Sequence, residues 1–333
     1  MASTPLLLVS TGARVRVVDP DRGTVTVARG LDGVRPSPLA ADPHRPGRAW
    51  CGTRDSGVLR SDDAGATWRP AGLAGTRVTA VAVSPADPGR VWAGTEPSHL
   101  WGWREEEDSW TRASGLRALP SSSEWSFPPR PGTDHVRWIV CHPREVGRLW
   151  LAIEAGALVR TPDGGGRWRD RVRGGPRDTH EAALHPERPE TLRVAAGDGY
   201  FETRDGGDHW STPREGLEVG YLRSAAVDPG DPDVVVVSGA SGPRRAYVAP
   251  EADGRLHRRV GSGPWARITE GWPDEPSTVA PLLRPGTRPG ELWAADERGV
   301  HGSSDGGRRW SRVAAFPGEV RRVDGLAVLP RPD

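Results

Sequence analysis

Two histidines and two carboxylates in the middle of the chain are the residues best suited to proton transfer. His135 and His180 each open an apolar segment, Glu154 ends another, and Asp178 lies two residues before His180. Imidazole exchanges protons near neutral pH, and an adjacent carboxylate can orient the ring or share its proton. We therefore predict that these four residues are catalytic and act as general acids and bases.

Aromatic and charged residues close to these four are candidates for holding a substrate. Aromatic rings stack on ligands and arginine binds anionic groups. The predicted substrate-binding residues are Trp125, Phe127, Arg137, Trp138, Asp198, Tyr221 and Arg223. The first two belong to the longest insertion, residues 116–134, whose aromatic residues and prolines are typical of a lid or a pocket wall.

The same residues offer a second use. Imidazole and carboxylate groups are suitable ligands for divalent metals, so a metal ion between His135, His180, Glu154 and Asp178 is an alternative. The spacing of these residues matches no short metal-binding motif. We therefore predict no cofactor and keep the divalent metal as the alternative.

A repeated motif indicates the scaffold that positions these residues. The pattern S/T-x-D-x-G-x-x-W occurs at 61–68, 161–168, 203–210 and 303–310, and two degenerate copies end at Trp110 and Trp265. Asp can accept hydrogen bonds from turn amides, Gly permits a positive φ, and Trp packs between sheets. The motif therefore predicts a recurring β-hairpin.

The spacing of the motif predicts a ring of β-blades. Successive motif tryptophans lie 42, 58, 42, 55 and 45 residues apart, close to the roughly 40 to 50 residues of a propeller blade. The two long intervals indicate insertions. An apolar strand, a Pro-containing turn and a second apolar strand precede each motif, which gives four strands per blade, A to D. The count is seven blades, or six if the unit ending at Trp265 is not a blade.

Both chain ends are predicted to share one blade. The segments 6–10, 14–18 and 24–28 supply strands B, C and D, and a spare A strand lies at about 322–329 with no motif after it. Their pairing removes the sheet edge that an open ring would expose. We predict one all-β domain over residues 1–333: a seven-bladed β-propeller of four-stranded antiparallel blades, with the first blade closed by the C-terminal strand.

Strand alternation predicts which residues meet. The starts of all A strands and all B–C turns emerge at one rim, and the A–B turns and motif hairpins emerge at the other. The first rim gathers the predicted catalytic and binding residues on three consecutive blades, beneath the 116–134 insertion. Because loops on a rigid scaffold usually carry function, we expect the site at this rim.

At the repeated motif the chain resembles the Asp-box (BNR) repeat superfamily, which includes sialidases, photosystem II assembly factors, sortilin-type ectodomains and xyloglucanases. It looks closest to bacterial single-propeller proteins described as sialidase-like or glycosyl hydrolase-like. The resemblance implies the propeller and places the motif away from the functional rim. A sialidase would carry an arginine triad, a tyrosine paired with a glutamate, and an Arg-Ile-Pro motif, of which only Arg35-Pro36 is similar. Classical sialidase activity is therefore not expected.

The composition of the chain limits the classes of partner and the cellular compartment that we expect. The 45 basic residues balance 44 acidic ones to a net charge of +1, so neither nucleic acid nor an anionic membrane is an expected partner. The N-terminal apolar run is too short for a signal peptide or a membrane span. Cys51 and Cys141 fit no zinc spacing and are expected to be free thiols. We expect a cytoplasmic protein.

Three functions fit these residues. The first is an enzyme that uses acid–base chemistry for hydrolysis, elimination or condensation of a small metabolite, with Arg223 holding an anionic group and Trp125 and Trp138 stacking on the ligand. The second is a non-catalytic binding or assembly propeller with a protein partner. The third is a glycosidase other than a sialidase, which would draw its two carboxylates from Glu154, Asp178 and Asp198.

Overall fold

Seven antiparallel sheets arranged as the blades of a propeller form the chain. A computed structural model describes residues 4–127, 133–272 and 278–332. The innermost strands of the seven blades contact one another in a closed cycle. This arrangement confirms the predicted seven-bladed β-propeller, in which the unit ending at Trp265 is a blade.

The strands follow the chain order blade by blade. Blade 1 takes β1 (Leu6–Thr11), β2 (Arg14–Asp19) and β3 (Thr24–Val27); blade 2 is β4 (Pro36–Ala41), β5 (Ala49–Thr53), β6 (Val58–Ser61) and β7 (Arg69–Pro70); blade 3 is β8 (Arg77–Val83), β9 (Arg90–Glu96), β10 (Leu100–Arg104) and β11 (Ser109–Arg112).

The remaining blades continue in the same way. Blade 4 is β12 (Val136–Cys141), β13 (Leu149–Ile153) and β14 (Ala157–Thr161); blade 5 is β15 (Thr179–His185), β16 (Arg188–Ala196) and β17 (Gly199–Thr203); blade 6 is β18 (Tyr221–Asp228), β19 (Asp231–Ala240), β20 (Arg255–Val260) and β21 (Ala266–Arg267); blade 7 is β22 (Leu282–Pro285), β23 (Leu292–Ala295), β24 (Gly299–Ser303) and β25 (Ser311–Ala315); and β26 (Gly325–Leu329) returns to blade 1.

Blades 4 and 5 have the shortest outer edges. In each, the fourth strand position is a single antiparallel bridge, Arg160 with Arg169 and Glu202 with Ser211. The inner strands carry the core instead: all of β5 and β13 is buried, because each blade packs between two neighbours.

The two chain ends close the ring. β26 pairs antiparallel with β1, from Leu6 opposite Leu329 to Ser10 opposite Gly325. Leu326 and Leu329 are fully buried. The closure is as predicted, although the strand begins at Gly325 rather than near residue 322.

The repeated hairpins are held by their own side chains. In blade 4, Asp163 Oδ1 accepts the Arg167 amide at 2.8 Å and Thr161 Oγ1 accepts the Gly165 amide at 2.7 Å. Gly165 has a φ of 100°, which favours glycine. The Trp168 indole donates back to the Gly165 carbonyl at 3.1 Å. The carboxylate is thus occupied in folding the turn.

The few helices lie in the two long intervals between motifs. The 116–134 insertion contains 3-10 turns at Leu116–Ala118 and Pro120–Glu124, and its residues 128–132 lie outside the described residues. Helix α1 (Pro243–Tyr247) and a 3-10 turn at Ala249–Glu251 extend the B–C turn of blade 6. Within the described segments, no helix has both the length and the apolar character of a membrane span.

Candidate functional site

A cavity of about 940 Å³ opens among the A-strand starts and B–C turns, on the rim where strand alternation places the candidate residues. Six of the seven blades contribute to it. Its walls are formed by Gly12, Ala13, Arg35, Pro36, Ser37, Arg54, Arg77, Val78, Thr79, Phe127, His135, Arg137, Glu154, Ala155, Asp178, Tyr221, Pro243, Tyr247, Arg322 and Asp324.

Glu154 and His135 form a buried pair on the blade 4 wall. Glu154 ends strand B, His135 precedes strand A, and their Oε2 and Nε2 atoms lie 2.6 Å apart. Arg137 Nε lies 3.7 Å from the same oxygen. Burial opposes ionisation of Glu154, but the charge of Arg137 and the His135 hydrogen bond hold the pKa of the carboxyl well below its ordinary range. Glu154 is therefore a carboxylate, and His135 donates to it.

His180 presents an unprotonated nitrogen toward two carboxylates. Its Nδ1 lies 2.5 Å from the carbonyl oxygen of Leu222, which can only accept, so Nδ1 carries the proton. Burial lowers the pKa of the imidazole despite the nearby carboxylates. Its Nε2 is buried without a hydrogen-bond partner among the described residues, and lies 3.8 Å from both Glu154 Oε1 and Asp178 Oδ1.

The Asp178 carboxylate is held in place by the neighbouring backbone. Its Oδ1 accepts the amide of Ala155 at 3.0 Å, and Ala155 has a φ of 50° in the B–C turn of blade 4. The side chain is 34% exposed. Of the two carboxylates beside His180, Asp178 is therefore the one that solvent or a ligand reaches.

Two tyrosines form the blade 6 wall. The Tyr221 ring lies 4.8 Å from the His180 ring and 6.1 Å, edge-on, from the Tyr247 ring. Burial and the neighbouring Tyr247 raise the pKa of Tyr221. Tyr221 therefore stays protonated and acts as a neutral wall and hydrogen-bonding group.

Arginines dominate the other side of the cavity. Arg35 and Arg54 come from blade 2, three blades from Asp178, and both are exposed. Arg77 pairs with Glu96 through Nε and Oε2 at 3.1 Å, and Arg322 pairs with Asp324 at 2.5 Å. Neither Arg35 nor Arg54 forms an ion pair with a carboxylate of the described segments. The cavity thus has an acceptor-rich side and a cationic side.

The structure brings seven predicted site residues to this cavity: Phe127, His135, Arg137, Glu154, Asp178, Tyr221 and His180, whose ring lies directly behind the wall. Phe127 meets His135 edge-on at 5.0 Å and belongs to the 116–134 insertion. The other six lie on blades 4, 5 and 6, where strand alternation places them.

Four predicted binding residues lie elsewhere. Trp125 is 5% exposed and packs in the blade 3–4 core. Trp138 donates its indole N–H to the Ala182 carbonyl at 3.0 Å. Asp198 is exposed and does not line the cavity. Arg223 is buried and donates to the carbonyls of Ala280 and Val323.

Arg223 stabilises the fold rather than facing the cavity. Burial lowers its pKa to about 10, and its two terminal nitrogens link backbone of blade 7 to the segment that leads into β26. Arg223 is the third residue of β18, and regular alternation would place it on the same face as Tyr221. The pairing of β18 with β19 shifts register between Leu222 and Ser224, and an irregularity of this kind changes the direction of a side chain. Tyr221 therefore lines the cavity and Arg223 does not.

Four arginines and one tyrosine of the cavity lie outside the predicted site residues. They are Arg35, Arg54, Arg77, Arg322 and Tyr247. Arg77 and Arg35 lie at A-strand starts and Arg54 in a B–C turn, so the same rim rule identifies them when applied to blades 2 and 3. Tyr247 reaches the cavity on helix α1, inside an insertion whose conformation the sequence pattern does not indicate.

The fold is shared with known propellers. The chain is similar to YCF48 bound to D1 peptide (18% identity, TM-score 0.58, 83% of this chain and 80% of that one) and to YCF48 from Cyanidioschyzon merolae (14%, 0.59, 88% and 94%). It is also similar to an ancestral GH74 enzyme (15%, 0.67, 95% and 41%). The chain thus spans about two fifths of that enzyme.

These similarities establish the fold alone. At 14–18% identity, the neighbours include both an enzyme and a propeller with a bound peptide, and fold does not determine function. No protein-family model and no curated protein matches the sequence. Function must therefore be argued from the cavity itself.

Proposed function

We propose that the chain is an enzyme that binds a small anionic molecule in the central cavity and catalyses the transfer of a proton from that molecule. The observation that carries this proposal is the convergence of three acceptor atoms, His180 Nε2, Glu154 Oε1 and Asp178 Oδ1, within 4.8 Å of one another. We call these three atoms the acceptor cluster. None of them directs a hydrogen at the other two. A substrate hydroxyl, amine or acidic C–H placed there would meet only acceptors.

Binding would begin at the cationic side. Arg35 and Arg54 are exposed at the cavity and have no ion-pair partner in the described segments. Arginine presents a fork of donors that matches carboxylate or phosphate oxygens. An anionic group held there would direct the remainder of the substrate toward blades 4 and 5, three blades away around the ring.

Proton transfer would then take place at the acceptor cluster. His135 and Arg137 keep Glu154 ionised and fixed, and the Leu222 carbonyl fixes the His180 ring. Asp178 is the member open to the cavity. A positioned general base contributes roughly 10²–10⁴-fold to a rate. Hydrolysis, elimination and condensation all require such a step.

A panel of hydroxylated and amino-substituted carboxylates and phosphate monoesters tests the proposal. Compounds that raise the melting temperature would be confirmed by calorimetry and followed for conversion by NMR. We expect Arg35→Ala/Arg54→Ala to weaken binding and Asp178→Asn to lower turnover by about 10²-fold or more with little change in affinity. Asp208→Asn, an equal charge change in a motif hairpin, is the matched control.

The result that contradicts the proposal is equally specific. A compound that binds or reacts equally well with the wild type, the double arginine variant and Asp178→Asn does not use this cavity. Loss of turnover in Asp208→Asn alone would place the chemistry on the opposite rim.

A protein segment is the second candidate ligand. One structural neighbour is described as bound to a D1 peptide, and the cationic side of the cavity would suit an acidic peptide or a chain terminus as well as a metabolite. A stable stoichiometric protein partner recovered from the native host, lost in the double arginine variant and with no turnover of any panel compound, would favour this non-catalytic role.

A glycosidase role has less support. Glu154 is held in its ionised form by Arg137 and His135. It therefore lacks the proton that a general acid must donate.

A further inference from the structure

Two clusters in the described residues combine a histidine with two carboxylates. The first is the acceptor cluster of His180, Glu154 and Asp178, and the second joins His142, Glu145 and Glu190 on the opposite rim. In both, the buried imidazole Nε2 has no hydrogen-bond partner among the described residues. The position of the imidazole proton distinguishes the two clusters.

In the second cluster the proton lies on Nε2. His142 Nδ1 accepts the amides of Arg144 and Glu145 at 3.1 and 2.9 Å, so it is unprotonated and the neutral ring carries its proton on Nε2. Nε2 therefore faces the carboxylates as a donor. Arg148 adds a cation, 2.9 Å from Glu145 and 2.6 Å from Glu190. The second cluster thus already holds a guanidinium paired with both of its carboxylates and a hydrogen on the imidazole nitrogen that faces them.

In the acceptor cluster the proton lies on the far side of the ring. His180 Nδ1 donates to the Leu222 carbonyl, so Nε2 directs a lone pair at Glu154 Oε1 and Asp178 Oδ1, each 3.8 Å away. Three lone-pair atoms converge here with no hydrogen between them. Glu154 and His180 are buried, and lone pairs that converge at such a site are stabilised by a positive species at its centre.

We propose that the acceptor cluster binds one divalent transition-metal ion through His180 Nε2, Glu154 Oε1 and Asp178 Oδ1. One nitrogen and two carboxylate oxygens suit zinc or manganese better than calcium, which takes oxygen ligands. Ligands about 2.1 Å from a tetrahedral ion are about 3.4 Å apart. The 3.8 Å separations require only a small rotation of the carboxylates.

His135 supports this site as a positioning residue. Its Nε2 donates to Glu154 Oε2 at 2.6 Å, which leaves Oε1 directed at the centre of the cluster. Partners of this kind orient metal ligands and raise metal affinity about 10–100-fold. The predicted ligand set of four therefore reduces to three ligands and one orienting histidine.

The metal site deepens the proposed function and rests on the same cavity. With an ion bound, the cluster would polarise a substrate oxygen or a water molecule and so make its proton easier to remove. One water or substrate oxygen would complete the tetrahedral coordination on the side of Asp178, which faces the cavity. The anionic substrate would then reach both the metal and the arginines.

Calorimetric titration of tag-free, EDTA-stripped full-length protein with ZnCl₂ and MnCl₂ tests the proposal. We expect one equivalent to bind to the wild type, and Asp178→Asn to weaken affinity by more than about 10-fold. His180→Gln should abolish the visible absorption of bound Co²⁺. His142→Gln, which removes the histidine of the second cluster, should leave stoichiometry and affinity unchanged.

Asp178→Asn keeps this test informative if His180→Gln fails to fold, because Asp178 is half-buried and the change preserves its shape. No metal uptake by the wild type, equal uptake by Asp178→Asn, or loss of uptake in His142→Gln would each overturn the proposal. The titration contains no substrate. If metal does not bind but turnover depends on Asp178, the metal site is wrong and the proposed function stands; if metal binds and cavity variants leave turnover unchanged, the metal site stands and the proposed function is wrong.

Discussion

Gly197 leaves the space that the Asp178 carboxylate occupies. A Cβ atom added at Gly197 would overlap Asp178 Oδ2 and lie 3.3 Å from the Cε1 atom of His180. Gly197 directly follows strand B of blade 5, and its amide donates to the Asp178 carbonyl as the Glu154 amide donates to the His135 carbonyl in blade 4. A missing side chain on one strand thus allows a carboxylate from the neighbouring A-strand start to reach the acceptor cluster.

We predict that Gly197→Ala displaces Asp178 and impairs the site without unfolding the protein. Turnover of the panel substrate should fall by at least about 10-fold, because misplaced catalytic groups lose rate steeply, while the unfolding free energy changes by less than about 1.5 kcal/mol. Gly220→Ala is the control: it lies beside Tyr221 at the same rim, and an added Cβ would contact nothing within 4 Å. Equal turnover by the two variants would show that the reaction does not depend on the position of the Asp178 carboxylate in the acceptor cluster.

We predict that Leu329→Ala destabilises the whole ring. Leu329 is fully buried where β26 pairs with β1, and removing a buried leucine side chain costs about 2–5 kcal/mol. Denaturant unfolding measures the effect. Val27→Ala in the same blade, with Val27 45% exposed, should stay within about 0.5 kcal/mol. A change at Leu329 as small as the control would mean that the C-terminal strand does not close the propeller.

We predict that Arg223→Met lowers stability rather than ligand affinity. The two carbonyls that Arg223 satisfies, on Ala280 and Val323, would lose their donors, at roughly 1–3 kcal/mol each. Chemical unfolding and calorimetric binding separate the two effects. Arg45→Met, which breaks an exposed pair with Glu105, should cost at most about 1 kcal/mol. Weakened binding at unchanged stability would restore Arg223 as a ligand-binding residue.

We predict that His257 makes the fold sensitive to acid. The side chain is fully buried, and burial lowers its pKa from 6.5 to about 4 despite the opposing charge of Glu218. The folded state therefore holds the neutral ring, so its contribution is complete above pH 6.5 and is lost as the pH falls toward 4. The loss amounts to about 3 kcal/mol.

His257→Gln should flatten this part of the stability profile. Urea unfolding at pH 7, 5.5 and 4.5 would show a smaller decline for the variant than for the wild type. The exposed His209, which pairs with Asp205 on the hairpin rim, provides the control in His209→Gln. Parallel profiles of His257→Gln and the wild type would contradict the assignment.

The fold could be predicted from the sequence because the repeats encode it in redundant form. Each motif specifies its own turn through residues such as Asp163 and Gly165, and the interval between motif tryptophans sets the size of a blade. The pairing of β26 with β1 followed from an A strand without a motif and a first blade without an A strand. These patterns are local or periodic, so they can be recognised in the sequence without knowing which distant residues are in contact.

The cavity could be predicted only in part, because a strand start fixes the position of the backbone and not the direction of a side chain. Tyr221 and Arg223 lie two residues apart on β18, where alternation predicts one face for both, but a register shift between Leu222 and Ser224 leaves only Tyr221 facing the cavity. The Trp125 side chain packs into the apolar core beneath the insertion, because an indole buries more surface there than it would at the solvent-exposed rim. Tyr247 depends on the fold of an irregular insertion, for which the sequence has no repeating pattern.

We predict that the substrate lies between the blade 2 arginines and the acceptor cluster of blades 4 and 5. A crystal structure of the wild type with a compound selected from the panel would test this placement. We expect the anionic group within hydrogen-bonding distance of Arg54 or Arg35 and the reacting atom beside Asp178, Glu154 and His180. A compound bound at the hairpin rim or on an outer blade edge, with the central cavity holding only water, would contradict it.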